Sequence, residues 1–223
     1  MTQIPLAEHD QSSIVMLGSF NPRIFQPAWL VRHALLPPEA ESESRIHLIN
    51  NDISVFETDW CRLEVMNERF ALQSLATPAV ESLRDLAQGI FEILQYTPIT
   101  MVGLNSSAHF SLGTADVWHA FGEALAPKSK IWDPILKNPG TLALTIQGER
   151  PDAYKGHVNV KIEPSARVRF GLFIETNEEY HVPDERGDAS WVSDLLAKQW
   201  DPTQERLRTI RAQILSEALR FEQ

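Results

Sequence analysis

Between Thr141 and His181 the chain alternates apolar and polar positions three times in succession. Leu142, Leu144 and Ile146 alternate with Thr141, Ala143 and Thr145. Val158, Val160 and Ile162 alternate with Asn159, Lys161 and Glu163. Val168, Phe170, Leu172 and Ile174 alternate with Arg167, Arg169, Gly171, Phe173 and Glu175. A period of two with one apolar face predicts an antiparallel sheet, packed on one side and wet on the other. In the second turn, residues that share a face must pair, so paired positions sum to an even number. A loop centred on Ser165 sets Lys161 against Arg169. A loop centred on Ala166 sets Glu163 against Arg169 and Lys161 against Gly171, and is favoured by ~0.2–1 kcal/mol.

Residues 1 to 13 carry no pattern and read as a loose tail. Ile14 to Phe20 reads as a strand ending at the turn signal Asn21-Pro22. Pro27 suits the first position of a short helix, and Pro37-Pro38 stops it. Glu39 to Ser44 reads as a surface loop. Ile46 to Ile49 and Ile53 to Phe56 read as short strands, and Cys61 to Val65 with Phe70 to Leu72 as a hairpin. Thr77 and Pro78 open a long helix whose stripe is Val80, Leu83, Leu86, Ala87, Ile90, Phe91 and Leu94. Ile99 to Phe110 is a strand, and Thr114 caps a helix reaching Leu125. Residues 132 to 139 form a connector. After the charged loop 182–188, Ser190 to Trp200 reads as one helix. Asp201 and Pro202 start another, striped by Leu207, Ile210, Ile214, Ala218 and Phe221.

This order predicts one α+β domain over residues 1 to 223: a largely antiparallel sheet with helices packed on one face. Each half has a hairpin followed by a long helix, yet no residue-level repeat supports a duplication.

Composition narrows the function. The 223 residues carry a formal charge of −10, which argues against a broad phosphate-binding surface. Lys161, Arg167 and Arg169 form a local basic spot, expected to be an ion-paired surface and not a nucleic-acid site. No apolar run approaches the length of a membrane span, and the start lacks the pattern of a secretory signal, so a cytoplasmic setting is expected. Cys61 is the single cysteine and reads as a buried, inert thiol.

No catalytic motif is present. The histidines, His9, His33, His47, His109, His119, His157 and His181, lack the close spacing of a zinc or iron site, so no metal and no cofactor are expected. The polar run Gly103 to His109 is unusual in a strand. Asn105 and His109 lie on one side, and together with Glu175 and Asn177 they form the best pocket candidate if the two strand ends meet. The acidic stretch Glu175 to His181 offers oxygen ligands but lacks the spacing of a calcium loop. Phe173 on the wet face, and Trp29 and Trp132 among the six tryptophans, are candidate interface anchors.

Gly18-Ser19-Phe20-Asn21-Pro22, Thr97-Pro98-Ile99-Thr100 and Gly103-Leu104-Asn105 together resemble segments of an uncharacterised bacterial family of α+β proteins with no known activity. The resemblance covers about half the chain. It implies a bacterial cytosolic setting and assigns no functional residue. The expected function is a non-enzymatic interaction protein, a subunit or accessory component of a bacterial assembly, with another protein or a second copy as partner. The alternative is a small-ligand binder or hydrolase working around Asn105, His109 and Glu175.

Overall fold

The computed structural model describes residues 5–75, 80–183 and 187–220. Its strands are β1 (His9–Gly18), β2 (Arg45–Ile49), β3 (Ile53–Glu57), β4 (Cys61–Met66), β5 (Arg69–Ser74), β6 (Ile99–Ser111), β7 (Leu144–Glu149), β8 (His157–Pro164) and β9 (Gly171–His181). Its α-helices are α1 (Pro27–Arg32), α2 (Ala40–Glu43), α3 (Val80–Ile93), α4 (Ala115–Leu125) and α5 (Ala189–Leu219). The strands form one nine-stranded antiparallel sheet, in the order β2-β3-β4-β5-β1-β6-β9-β8-β7. The fold is α+β, and the helices of the described residues pack on the same face of the sheet.

The architecture is quasi-symmetric. A long strand, β1 or β6, is followed by helical structure, a meander and a closing helix, α3 or α5. The two long strands pair antiparallel at the centre, and the meanders spread outward from them in mirrored order. The second half has one strand fewer.

The apolar alternation decides which face is roofed. Ile14, Met16, Leu63, Val65, Phe70, Leu72, Val102 and Leu104 point to the helices and are buried. The α3 stripe of Leu83, Leu86, Ala87, Ile90 and Phe91 closes over them. Each such side chain contributes about 1.5–3 kcal/mol on burial. A second cluster gathers Ala108, Phe110, Val117, Phe121, Ile162, Leu172, Ile174 and Leu215. The buried residues Ser74, Ser12, Ser106 and Thr176 cross the roofed face between the two clusters. Arg211 reaches this stripe from α5, donating to Asp10 (3.1 Å) and to the Ser106 hydroxyl.

Four expectations change. β1 begins at His9, inside the stretch expected to be a loose tail; Asp10 and Ser12 sit where a patternless reading sees nothing, because their partners lie on α5 and β5. Residues 40 to 43 form a one-turn helix and not an open loop, with Ala40 tucked into the core. The β8–β9 hairpin keeps the even parity but has a wider loop. Lys161 faces Glu175, Glu163 faces Phe173, and Val168 and Phe170 belong to the turn. The Ser165 hydroxyl accepts from the amides of Arg167 and Val168, and Phe170 takes φ 51°, which shapes that turn. Finally, α5 is continuous through Pro202. An interior proline costs ~3 kcal/mol or more, offset here by the burial of Trp200, Thr203 and Leu207 on either side.

Pro27 opens α1, and Thr114 caps α4 by accepting from the Val117 amide. Thr77, Pro78, Phe221 and positions 184–186 of the charged loop lie outside the described residues. Among the described residues no helix is long and apolar enough to cross a membrane.

Candidate functional site

The face away from the helices is built from the other half of each alternation. One row crosses it with a residue from each strand: Arg45, Glu57, Arg62, Gln73, Ser13, Asn105, Asn177, Asn159 and Gln147 are successive register partners. The second half of that row is a directed hydrogen-bond chain. Gln147 Nε2 donates to Asn159 Oδ1 (2.9 Å), and Asn159 Nδ2 donates to Asn177 Oδ1 (3.2 Å). Asn177 Nδ2 donates to Asn105 Oδ1, and Asn105 Nδ2 donates to the Ser13 hydroxyl (3.2 Å). Each of the three asparagine amides thus spends one donor and its acceptor on a neighbour, which fixes its orientation.

The four pocket candidates do share this face. Asn105 pairs with Asn177, and Glu175 and His109 continue along the same two strands. All four are half-buried. His109 Nδ1 lies 2.8 Å from the Ser165 hydroxyl, and its ring stacks on Phe173 at 4.9 Å. Burial, with help from Arg167 and His9, holds the His109 imidazole below the ordinary histidine range. Phe173 is therefore half-covered by a histidine. Of the other interface candidates, Trp29 packs against the core and His33 (4.7 Å), whereas Trp132 is 45% exposed. The basic spot does not lie on one face: Lys161 pairs with Glu163 (2.7 Å), while Arg167 and Arg169 sit in the turn.

One constellation escaped the sequence reading. His157 on β8 and Glu179 and His181 on β9 each offer one ligand atom, and these atoms all lie within 4.8 Å of one another. Among the described residues this is the only such group of His, Cys, Asp and Glu. Glu179 and His181 alternate with buried Glu178 and Tyr180, so period two alone places them on one face. His157 enters only through the β8–β9 register. Along the same row, Glu149 on β7 is the register partner of His157, and Gly103 on β6 is that of Glu179. At the hairpin end Gly156 takes φ 139°, and a Cβ there would lie 1.9 Å from the Glu179 carbonyl oxygen. The backbone that presents His157 is thereby pressed against the strand that presents the other two.

Directly beneath, on the roofed face, Glu178 is fully buried. It accepts from Arg150 Nη2 (3.0 Å), Arg206 Nε (2.8 Å) and Arg206 Nη2 (2.6 Å). Asp152 completes the set by accepting from Arg150 (2.7 Å). The Arg150 guanidinium also lies 3.6 Å from the centre of the Tyr180 ring. Two carboxylates meet two guanidinium groups, so the buried network is neutral. It ties β9 to α5 and to the 150–156 loop.

Elsewhere, Trp118, Phe121, Leu125, Leu142, Leu144 and Ile162 line an apolar cavity of about 660 Å³ between α4, the following connector and β7. In the segment between α4 and β7, Ile131, Trp132, Ile135, Leu136 and Leu142 are exposed, from 45% at Trp132 to 85% at Leu142. No model of a known protein family matches the sequence, and no curated protein matches it.

Proposed function

We propose that the protein is a non-enzymatic interaction protein, a subunit or accessory component of a bacterial cytoplasmic assembly, and that it binds an amphipathic helix of a partner protein beside α4. One observation carries this reading: the two halves differ in how their first connection is packed. In the first half, the segment between β1 and β2 buries Phe20, Phe25, Leu30, Leu36 and Ala40 against the sheet. In the second, Leu112 and the α4 residues Val117 and Phe121 are buried, but the segment after α4 leaves Ile131, Trp132, Ile135, Leu136 and Leu142 exposed. The roofed side of the sheet thins over the same place. Ile146 is exposed, and Leu144, Val158 and Val160 are only half-buried. Five large apolar side chains exposed within twelve residues of one segment are the composition of an interaction site.

A helix suits the gap because helices cover the matching face everywhere else, and an apolar helix face docks in such grooves. Exposed Lys130 and Lys137 flank the apolar residues, so acidic residues on the partner helix would complement them. The strip around Asn105, His109 and Glu175 supports ligand binding less well, since its amides are already bonded to one another.

The test is a photo-crosslinking amino acid placed at position 132 in cells, with position 96, also exposed, as the control. Adducts at 132 that map to an amphipathic helix of another protein are expected. Adducts only to a second copy of the chain, or none above the control, overturn the proposal.

A further inference from the structure

We propose that His157, Glu179 and His181 form a binding site for a divalent transition metal of the zinc class. Two imidazoles and one carboxylate are a donor set that zinc and its neighbours in the first transition row accept, and magnesium and calcium do not favour. The three side chains come from adjacent antiparallel strands. Their backbone positions are fixed by the β8–β9 ladder and by the close approach of Gly156 to Glu179. Rigid strands hold ligands more accurately than loops do. The histidine and glutamate already meet, with His181 Nε2 2.5 Å from Glu179 Oε1, and the His157 ring centre lies 6.1 Å from that of His181. A metal ion would take the place of this His–Glu hydrogen bond and draw His157 into the same centre.

Three protein ligands leave a tetrahedral ion with one further position. Here the open face supplies the room for it, because the His181 side chain is 45% exposed. That position would accept water or an anionic or thiolate group of a bound molecule. The buried network around Glu178 lies on the other face of the same strand and is separated from the site by the sheet backbone.

The experiment titrates the full-length protein, stripped with chelator, with Co²⁺. The d–d absorption bands are followed, and Zn²⁺ is then used as competitor. One cobalt per chain, displaced stoichiometrically by zinc and not by magnesium, is the expected result. His157→Ala, Glu179→Gln and His181→Ala should each weaken binding by at least about tenfold, the scale on which even supporting groups affect metal affinity. His109→Ala, which disrupts the separate His9–His109 pair (ring centres 5.9 Å apart), should leave it unchanged. All three site residues are partly or fully exposed, so the metal-free variants should keep the wild-type melting temperature. His181→Gln serves if one does not. Absence of a stoichiometric cobalt complex overturns the proposal, as does binding that survives loss of His157 or disappears with His109.

Discussion

Glu178 and Glu179 are neighbours in β9, and their carboxylates serve opposite faces of the sheet. Glu178 is sealed under α5 by Arg150 and Arg206, and Glu179 meets His181 on the open face. A strand's period of two forces this division. The consequence is that one short segment, Glu178 to His181, both anchors the closing helix and presents the candidate metal ligands.

Removing the buried partner should be costly. Glu178→Gln leaves two guanidinium groups facing a neutral side chain, and breaking a buried ion pair in this way costs about 3–5 kcal/mol. Urea unfolding should show a midpoint lowered accordingly. The double variant Glu178→Gln/Arg206→Gln restores charge balance, so its loss should be smaller than the sum of the two single losses. Additive losses would mean that the groups are not coupled.

Asp152 predicts an acid limb. Burial pushes its carboxyl up, but the Arg150 hydrogen bond, the Tyr154 amide and the charges of Arg150 and Arg206 more than reverse this and hold it below the usual range. A depressed folded value means that the unfolded chain binds more protons, so the stabilisation is full above the ordinary aspartate value of about 3.9 and is lost as pH falls through the lower folded value. Asp152→Asn should be less stable than wild type at neutral pH. The gap between the two should close below about pH 4, read from melting temperature against pH.

Cys61 should be silent in the native protein. It is buried, and burial pushes its thiol up to about 11 from 9.0, the Thr58 hydroxyl offsetting part of the shift. A thiol-specific disulfide reagent at pH 8 should find no reactive group until urea unfolds the chain, and then one. Because the folded value is raised, this thiol also favours the native state below pH 9 and ceases to do so as pH rises through about 11. Rapid native labelling would place Cys61 at the surface.

Gly156 tolerates no side chain. Its φ of 139° lies where L residues strain, and the added Cβ would collide with the Glu179 carbonyl at 1.9 Å. Gly156→Ala should lose about 1–3 kcal/mol and weaken cobalt binding together with stability. Gly148→Ala, with nothing within 4 Å of the added Cβ, is the control that should change neither.

The alternation of Val160, Ile162, Leu172 and Ile174 with polar neighbours was enough to establish a one-sided antiparallel sheet, and the α3 stripe was enough to name its roof, whereas Leu142 falls before β7 and is exposed. Both are local periodicities, and burial on one face leaves the chain no other consistent arrangement. Pro27 marked a helix start correctly. At Pro202 the same signal was overridden, since Trp200 and Thr203 gain more from packing than the broken bond costs. Between β8 and β9 the even parity held, but the loop is wider than either expected centre, Ser165 or Ala166, allows. Parity fixes the face but not the loop length, and the Ser165 hydroxyl settled the length.

The candidate sites divide along the same line. Asn105, His109, Glu175 and Asn177 were placed on one face by alternation within two strands, and Glu179 with His181 could have been found by that rule. His157, Asn159 and Gln147 join them only through the register of β7, β8 and β9, which depends on contacts between residues far apart in sequence. The chain's own pattern determined which residues face water and which face the core. Tertiary structure alone decided which of the water-facing residues meet, because the spacing between strands is set by hydrogen-bonded pairing and turn geometry, neither of which is encoded in the period of any one strand.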